Sequence, residues 1–247
     1  EIFYNIIRWK KRLEYYMGEG VKPGNIYKLI LAYLLWSKTH YKKFEEFDGV
    51  KTADILTKLK KGTVPTKAIE YSIPEWLAER MEKELGKNWE KEMTALNEQA
   101  PTVLRVNTLK TTPKGLISEL HEENVESHTI AGYPDAIQLD EKKNVFLTSA
   151  FKDGFFEVQD ASSQKIGYFL DVKEGQRVVD VCAGAGGKTL HLAALMQNKG
   201  QIIALDIHGW KLAELKRRAK RAGAHNIETH EISDNKVIKR LHEKADR

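Results

Sequence analysis

Gly184, Gly186 and Asp206 set the chemistry open to this chain. The glycines lie in the run Cys182-Ala183-Gly184-Ala185-Gly186-Gly187-Lys188, directly after the apolar segment Arg177 to Cys182. Without side chains they let the backbone turn sharply and approach a ligand closely. Asp206 follows Gly186 by 20 residues and closes a second apolar segment, Gln201 to Asp206. A carboxylate there accepts hydrogen bonds from both hydroxyls of a ribose. A glycine turn after one strand and an acid ending the next mark a nucleoside site at the carboxyl ends of parallel strands. The plainer reading of Asp206 is an aspartate that caps the helix after it.

The spacing separates the nucleoside cofactors. A dinucleotide fingerprint needs a third glycine where Thr189 stands, and a phosphate loop needs glycine where Cys182 stands. Gly187-Lys188-Thr189 therefore imitates a phosphate loop without completing one. S-adenosylmethionine carries no phosphate and needs a close turn, an acid for its ribose and a polar group near its adenine. Asp234, after a third apolar segment, is placed to accept from the adenine amino group, or it serves a turn. Lys188 either meets the carboxylate of the methionine moiety or stands at a helix start.

The elements that must position these residues alternate. Arg177 to Cys182, Gln201 to Asp206 and Ile227 to Ile232 read as strands, and Lys188 to Gln197 and Trp210 to Ala222 as helices. Strand, helix, strand, helix, strand with nearly continuous apolar strands means parallel pairing with right-handed crossovers. The second helix carries Lys216-Arg217-Arg218, Lys220 and Arg221, a run that reads as a solvated face before it reads as an RNA contact.

Ahead of this region the texture changes twice. Residues 1–99 read as helical, with Asn25 as a cap for Ile26 to Trp36 and a stripe of Trp76, Leu77, Met81 and Leu85 turned inward. Residues 100–157 read as a small α+β unit, similar in outline to an RNA-recognition fold. In it Val103 to Asn107 form a strand, Thr112 caps a helix, and short strands follow at Val125–Ile130, Ala136–Leu139 and Phe155–Gln159. Asp153 and Asp160 read as turn and cap residues. Residues 158–247 hold the glycine turn. The formal charge of +5 is compatible with a polyanionic partner and proves none. The longest apolar run, Leu29 to Trp36, ends between Lys28 and Lys38, so no membrane span is expected. Cys182 is the one cysteine, which excludes an internal disulfide and a cysteine metal cluster and points to a reducing cytoplasm.

Three segments carry a resemblance. Asp180-Val181-Cys182-Ala183-Gly184-Ala185-Gly186-Gly187-Lys188-Thr189 resembles the cofactor motif of the Sun/Fmu family of RNA cytosine methyltransferases, with Gly184-Ala185 where that family usually has Ala-Pro. Leu104-Arg105-Val106-Asn107-Thr108-Leu109-Lys110 and Phe156-Glu157-Val158-Gln159-Asp160-Ala161-Ser162-Ser163-Gln164 are similar to family segments in the small α+β domain and at the entry to the catalytic domain. The likeness covers about Ile73 to Arg247.

The resemblance implies an α/β fold: a Rossmann-like class I methyltransferase domain, incomplete here, preceded by the α+β and helical domains. It implies S-adenosyl-L-methionine as cofactor, RNA (ribosomal RNA above all) as partner, and 5-methylcytosine as product. In that family a cysteine thiolate attacks carbon 6 of cytosine, carbon 5 takes the methyl group, and a second cysteine assists release. The family's Pro-Cys and Thr-Cys motifs are expected past Arg247, so this chain is expected to be inactive alone. Cys182 is expected to be a buried filler at the end of its strand, and the first strand is expected to have an open edge that favours self-association. The oligomeric state itself stays open. The alternatives are a non-catalytic nucleoside- or RNA-binding module and, further off, an enzyme that uses a nicotinamide or a nucleotide phosphate.

Overall fold

The computed structural model describes residues 2–42, 44–233, 239, 241 and 243–247. It divides into two compact units, Glu1–Gln99 and Ala100–Arg247. The first is helical: α1 (Ile2–Arg8), α2 (Lys10–Met17), α3 (Ile26–Trp36), α4 (Ala53–Lys61), α5 (Lys67–Glu70), α6 (Glu75–Leu85) and α7 (Trp89–Asn97). Leu13, Tyr16 and Met17 recur at three and four residues on α2 and meet Leu29, Ala32, Tyr33 and Ile55 in one core. Two expectations change here. Asn25 makes no side-chain cap for α3; its amide side chain instead accepts from the Lys22 amide and donates to Gly20 O, bracing the turn. On α6, Leu77, Ala78 and Met81 pack against Ile73, Trp89 and Met93, whereas Trp76 and Leu85 are 63% and 41% exposed. The buried face is centred about one residue from the expected stripe, because the partner cluster lies on the Leu77–Met81 ridge.

The second unit opens with β1 (Val103–Val106), α8 (Pro113–Glu122), β2 (Ser127–Ile130), β3 (Tyr133–Leu139), α9 (Ser149–Lys152) and β4 (Phe156–Val158). The strands form an antiparallel sheet in the order β2-β3-β1-β4, with Leu104 opposite Ile137 on one side and Val158 on the other. The Thr112 hydroxyl accepts from the Gly115 amide and starts α8. All of β1 is buried. Its alternation sends Leu104 and Val106 into the core with Leu116, Leu120, Ile137 and Phe156, and sends Arg105 to the opposite face.

The unit continues with α10 (Ala161–Leu170), β5 (Arg177–Asp180), α11 (Gly187–Leu195), β6 (Gln201–Asp206), α12 (Gly209–Ala222) and β7 (Ile227–Glu231). Asp160 caps α10 by accepting from the Ser162 and Ser163 amides. The three strands pair in parallel in the order β5-β6-β7, with Val178 opposite Ile202 and Ile202 opposite Ile227. Two corrections follow. β5 ends at Asp180, so Val181 and Cys182 belong to the turn and not to the strand. The outer side of β5 is met near its start by the main chain of Asp246 and Arg247: the Asp246 amide donates to Arg177 O and the Val179 amide to Arg247 O. The edge is thus not open along that stretch.

The residues after β1 lock the two sheets into one unit. Buried Asn107 donates through Nδ2 to Gly154 O at 2.7 Å and to Ala222 O, the last turn of α12, at 2.8 Å. Lys110 Nζ donates to Asp153 O at 2.7 Å and Arg221 O at 2.8 Å, a cation at the negative end of the same helix. Asn107→Ala leaves both carbonyls without their side-chain donor and is expected to destabilise this unit by about 2–3 kcal/mol. Urea unfolding followed by amide exchange in α12 measures it, and a loss below about 0.5 kcal/mol would show that solvent replaces Asn107 fully.

Candidate cofactor site

Parallel pairing of β5 with β6 brings Asp180 level with Ala204 and sets the two strand ends side by side. The turn between β5 and α11 is held from both. The Ala183 amide donates to Leu205 O and the Gly186 amide to Ala183 O, each at 2.9 Å. Asp180 accepts the Thr189 hydroxyl at 2.8 Å through Oδ2 and the Cys182 amide at 3.3 Å through Oδ1. Asp206 accepts the Gly184 amide through Oδ2 and the His208 amide through Oδ1, both at 2.9 Å. The helix-start reading and the site reading of Asp206 thus describe one arrangement, in which a single carboxylate joins the glycine turn to the entry of α12.

The His208 amide lowers the Asp206 pKa most; burial opposes it, and the Gly184 amide and the charge of Lys211 add to it. Asp206 is an anion at neutral pH, and each oxygen has spent one of its two acceptor directions. The directions left over suit a pair of vicinal hydroxyls.

The two glycines of the turn serve different ends. Gly184, at φ 54°, has open space where a Cβ would stand, so the backbone there is free for a ligand to approach. Gly186, at φ 88°, would put a Cβ 2.6 Å from Leu215 Cγ. A side chain at 186 therefore collides with α12 and not with ligand space, which corrects the expected reason for that glycine.

The remaining predicted residues divide as follows. Ala183 is buried, and Ala185 and Gly187 are half-buried. Lys188 is exposed in the first turn of α11, where the amides of Gly187, Lys188 and Thr189 have no acceptor within the helix. Cys182 is exposed, because the strand ends two residues before it. The expectation of a buried filler is overturned. Asp234 lies outside the described residues. Arg218 and Arg221 leave the solvated face assigned to their run: both bond Glu157, at 2.8 and 2.5 Å, while Lys216, Arg217 and Lys220 stay exposed.

Several residues escaped sequence reasoning. Asp180 and Thr189 brace the turn from beneath, and the strand-end position of Asp180, matching that of Asp206, was the available signal. Arg105 donates to Gly187 O and Arg218 to Ala185 O, contacts that no local spacing announces. Ile207, next to Asp206, is 62% exposed and offers an apolar surface beside the acid. Among the described residues no cluster of His, Cys, Asp or Glu could hold a metal, and no helix is long and apolar enough to cross a membrane.

A parallel sheet with a glycine turn after its first strand and an acid ending its second defines a Rossmann-like nucleoside-binding domain. The comparisons carry this further. Residues 73–146 match the ferredoxin-like domain of RsmF/B-like methyltransferases, and residues 167–247 match the 16S rRNA methyltransferase RsmB/F model. The chain is 37% identical over 164 residues to a probable ribosomal RNA small subunit methyltransferase B of Synechocystis, covering 66% of this chain and 37% of that protein. It is 33% identical over 153 residues to the ribosomal RNA small subunit methyltransferase B of Escherichia coli O6:K15:H31, covering 62% and 35%. A crystal structure of a methyltransferase homolog from Pyrococcus horikoshii aligns with a TM-score of 0.64 at 29% identity, over 71% of this chain and 58% of that one. NSun6 from the same organism, crystallised with SFG, shares the fold with a TM-score of 0.64 at 22% identity, over 70% and 68%. The chain belongs to the RsmB/F family of rRNA methyltransferases, the Sun/Fmu type. It spans little more than a third of the length of the curated relatives it matches.

Gly186→Ala is expected to cost about 2–4 kcal/mol of stability, since strain at positive φ adds to the overlap with Leu215. Thermal or urea unfolding measures it, and an unchanged midpoint would show that the turn and α12 move apart freely.

Proposed function

We propose that this chain carries the cofactor-binding part of an S-adenosylmethionine-dependent methyltransferase that forms 5-methylcytosine in RNA, with ribosomal RNA as substrate and the cytoplasm as its place of work. The observation that carries the cofactor assignment is the Asp206 carboxylate, anionic, with acceptor directions to spare, beside the open space at Gly184. In this reading the turn Cys182-Ala183-Gly184-Ala185-Gly186-Gly187-Lys188 cradles the cofactor. Asp206 takes the ribose hydroxyls, Ile207 lies against the adenine and Lys188 faces the methionine carboxylate. The RNA assignment is supported by the family and by the exposed cations of α12.

No residue of this chain is assigned as the nucleophile. Methylation at carbon 5 needs a thiolate at carbon 6, because the unactivated ring is a poor carbon nucleophile. Cys182 belongs to the cofactor turn itself, two residues before Gly184, and its amide is tied back to Asp180. Incubation with labelled S-adenosylmethionine and unmodified RNA is expected to give no transfer by these 247 residues. Transfer to cytosine that disappears in Cys182→Ser would reassign the nucleophile.

Two further outcomes are expected. Asp206→Ala weakens binding of S-adenosylhomocysteine by about 1.5–3 kcal/mol in calorimetry. Because the carboxylate is the binding form and its pKa is depressed, affinity stays level from pH 7 to 5 and falls only in more acidic solution than an ordinary aspartate, near pKa 3.9, would require. Unchanged affinity in Asp206→Ala sinks the ribose assignment. RNA affinity is expected to fall steeply with salt, with a shallower logarithmic slope once Lys216, Arg217 and Lys220 are neutralised; a salt-independent affinity counts against RNA.

A further inference from the structure

Two carbonyls of the glycine turn are held from outside it, each by a guanidinium. Arg218 donates through Nη1 to Ala185 O and through Nη2 to Glu157 Oε2, both at 2.8 Å. Arg105 donates through Nη1 to Gly187 O and to Gln159 Oε1. Both arginines are anchored on β4 and the residue just past it: Glu157 lies opposite Arg105 across the β1–β4 pair, and Gln159 follows β4. Arg105 is only 3% exposed. Burial pulls its pKa down to about 10, against the pull of Glu157, and leaves it cationic at neutral pH.

Burying a cation costs several kcal/mol, and an aliphatic side chain would fill position 105 at less cost. What an arginine adds is a donor fork that reaches a backbone carbonyl at the start of α11. The turn needs such holding. Gly184 and Gly186 are both at positive φ and Gly187 follows, so the local chain has little intrinsic preference for one shape. In the peptide between Ala185 and Gly186 the amide closes on Ala183 O while the carbonyl points to Arg218. Rotating that peptide breaks both bonds.

We propose that Arg105 and Arg218 are positioning residues that hold the Ala183–Gly187 turn in its cofactor-accepting shape, so that the antiparallel sheet sets cofactor affinity through β4. This rests on the cofactor reading above. The role differs from RNA contact, the use otherwise open to a basic run on α12 and to a small α+β domain.

The test uses the full chain as wild type, Arg218→Met, Arg218→Lys and Arg105→Met. Hydrogen–deuterium exchange without ligand reads the turn, and calorimetry with S-adenosylhomocysteine reads the site. Arg218→Met is expected to exchange faster at residues 183–190, to keep its protection in β1 and β3, and to bind about tenfold more weakly, the order set by one charge-assisted hydrogen bond. Arg218→Lys keeps the charge but cannot span Glu157 and Ala185 together, so it falls between wild type and Arg218→Met. Should Arg105→Met not fold, Gln159→Leu replaces it, since it removes the acceptor that anchors Arg105 and leaves the Glu157 ion pairs in place. Unchanged exchange in the turn overturns the proposal, as does faster exchange with unchanged affinity. Equal loss of protection in β1 and β3 also overturns it, showing general destabilisation. A wild-type chain that does not bind S-adenosylhomocysteine, while Arg218→Met still loosens the turn, sinks the cofactor reading and reduces the arginines to a structural clamp.

Discussion

A carboxylate taken out of water has to be met by cations, and Glu157 is met by two. Its side chain is 6% exposed, one oxygen accepting from Arg218 and the other from Arg221. Glu157 belongs to the antiparallel sheet and both arginines to the helix between β6 and β7. Removing Glu157 from this set leaves two largely buried guanidinium groups without their acceptor, which is strongly unfavourable, whereas loss of either arginine alone leaves the carboxylate paired by the other. The sheet and the helix therefore cannot separate without large cost. Arg221 also lies 3.9 Å above the ring of Phe151, which fills the space on its far side. Asn107 and Lys110 fasten the C-terminal end of the same helix. The glycine turn, packed on Leu215 of α12, inherits its position from this junction.

The parts of this arrangement that were legible in the sequence are the local ones. Strand and helix alternation from Arg177 onward and the Thr112 and Asp160 caps depend on residues within a few positions of one another, and the glycine turn and the strand-end acid are each read from one short segment. Local chemistry specifies them. What was not legible depends on residues far apart. Arg105, Glu157 and Arg218 converge over more than a hundred positions, and a basic run on an amphipathic helix looks the same whether two of its members turn inward or none does. Gly186 was noticed for the right reason in general and the wrong one in particular, because Leu215 is invisible to a reading of the turn alone. Cys182 was misplaced by a strand boundary shifted by two residues, enough to carry a thiol from the core to solvent. Trp76 failed similarly, by about one residue of helical register.

The pattern of spent and unspent groups bears on the same choice between cofactor classes as the spacing of Gly184, Gly186 and Thr189. A phosphate loop works by turning successive amides toward an anion. In this turn the amides of Ala183, Gly184 and Gly186 are committed to Leu205 O, Asp206 and Ala183 O. Two carboxylates bond to the turn and the start of α11, Asp180 through the Thr189 hydroxyl and the Cys182 amide and Asp206 through the Gly184 amide, and both put negative charge near where a phosphate would have to lie. Their repulsion opposes a phosphate and offsets the favourable amides of the first turn of α11. The same two acids suit a ligand that brings hydroxyls and a positive centre, and the exposed Lys188 with the free first-turn amides suits one carboxylate. A nucleoside joined to a zwitterionic amino acid has that distribution, and a nucleotide does not. The resemblance of Gly187-Lys188-Thr189 to a phosphate loop is therefore undone by Asp180, which ties the Thr189 hydroxyl to its own carboxylate and so removes the group that such a loop would present to a metal-bound phosphate.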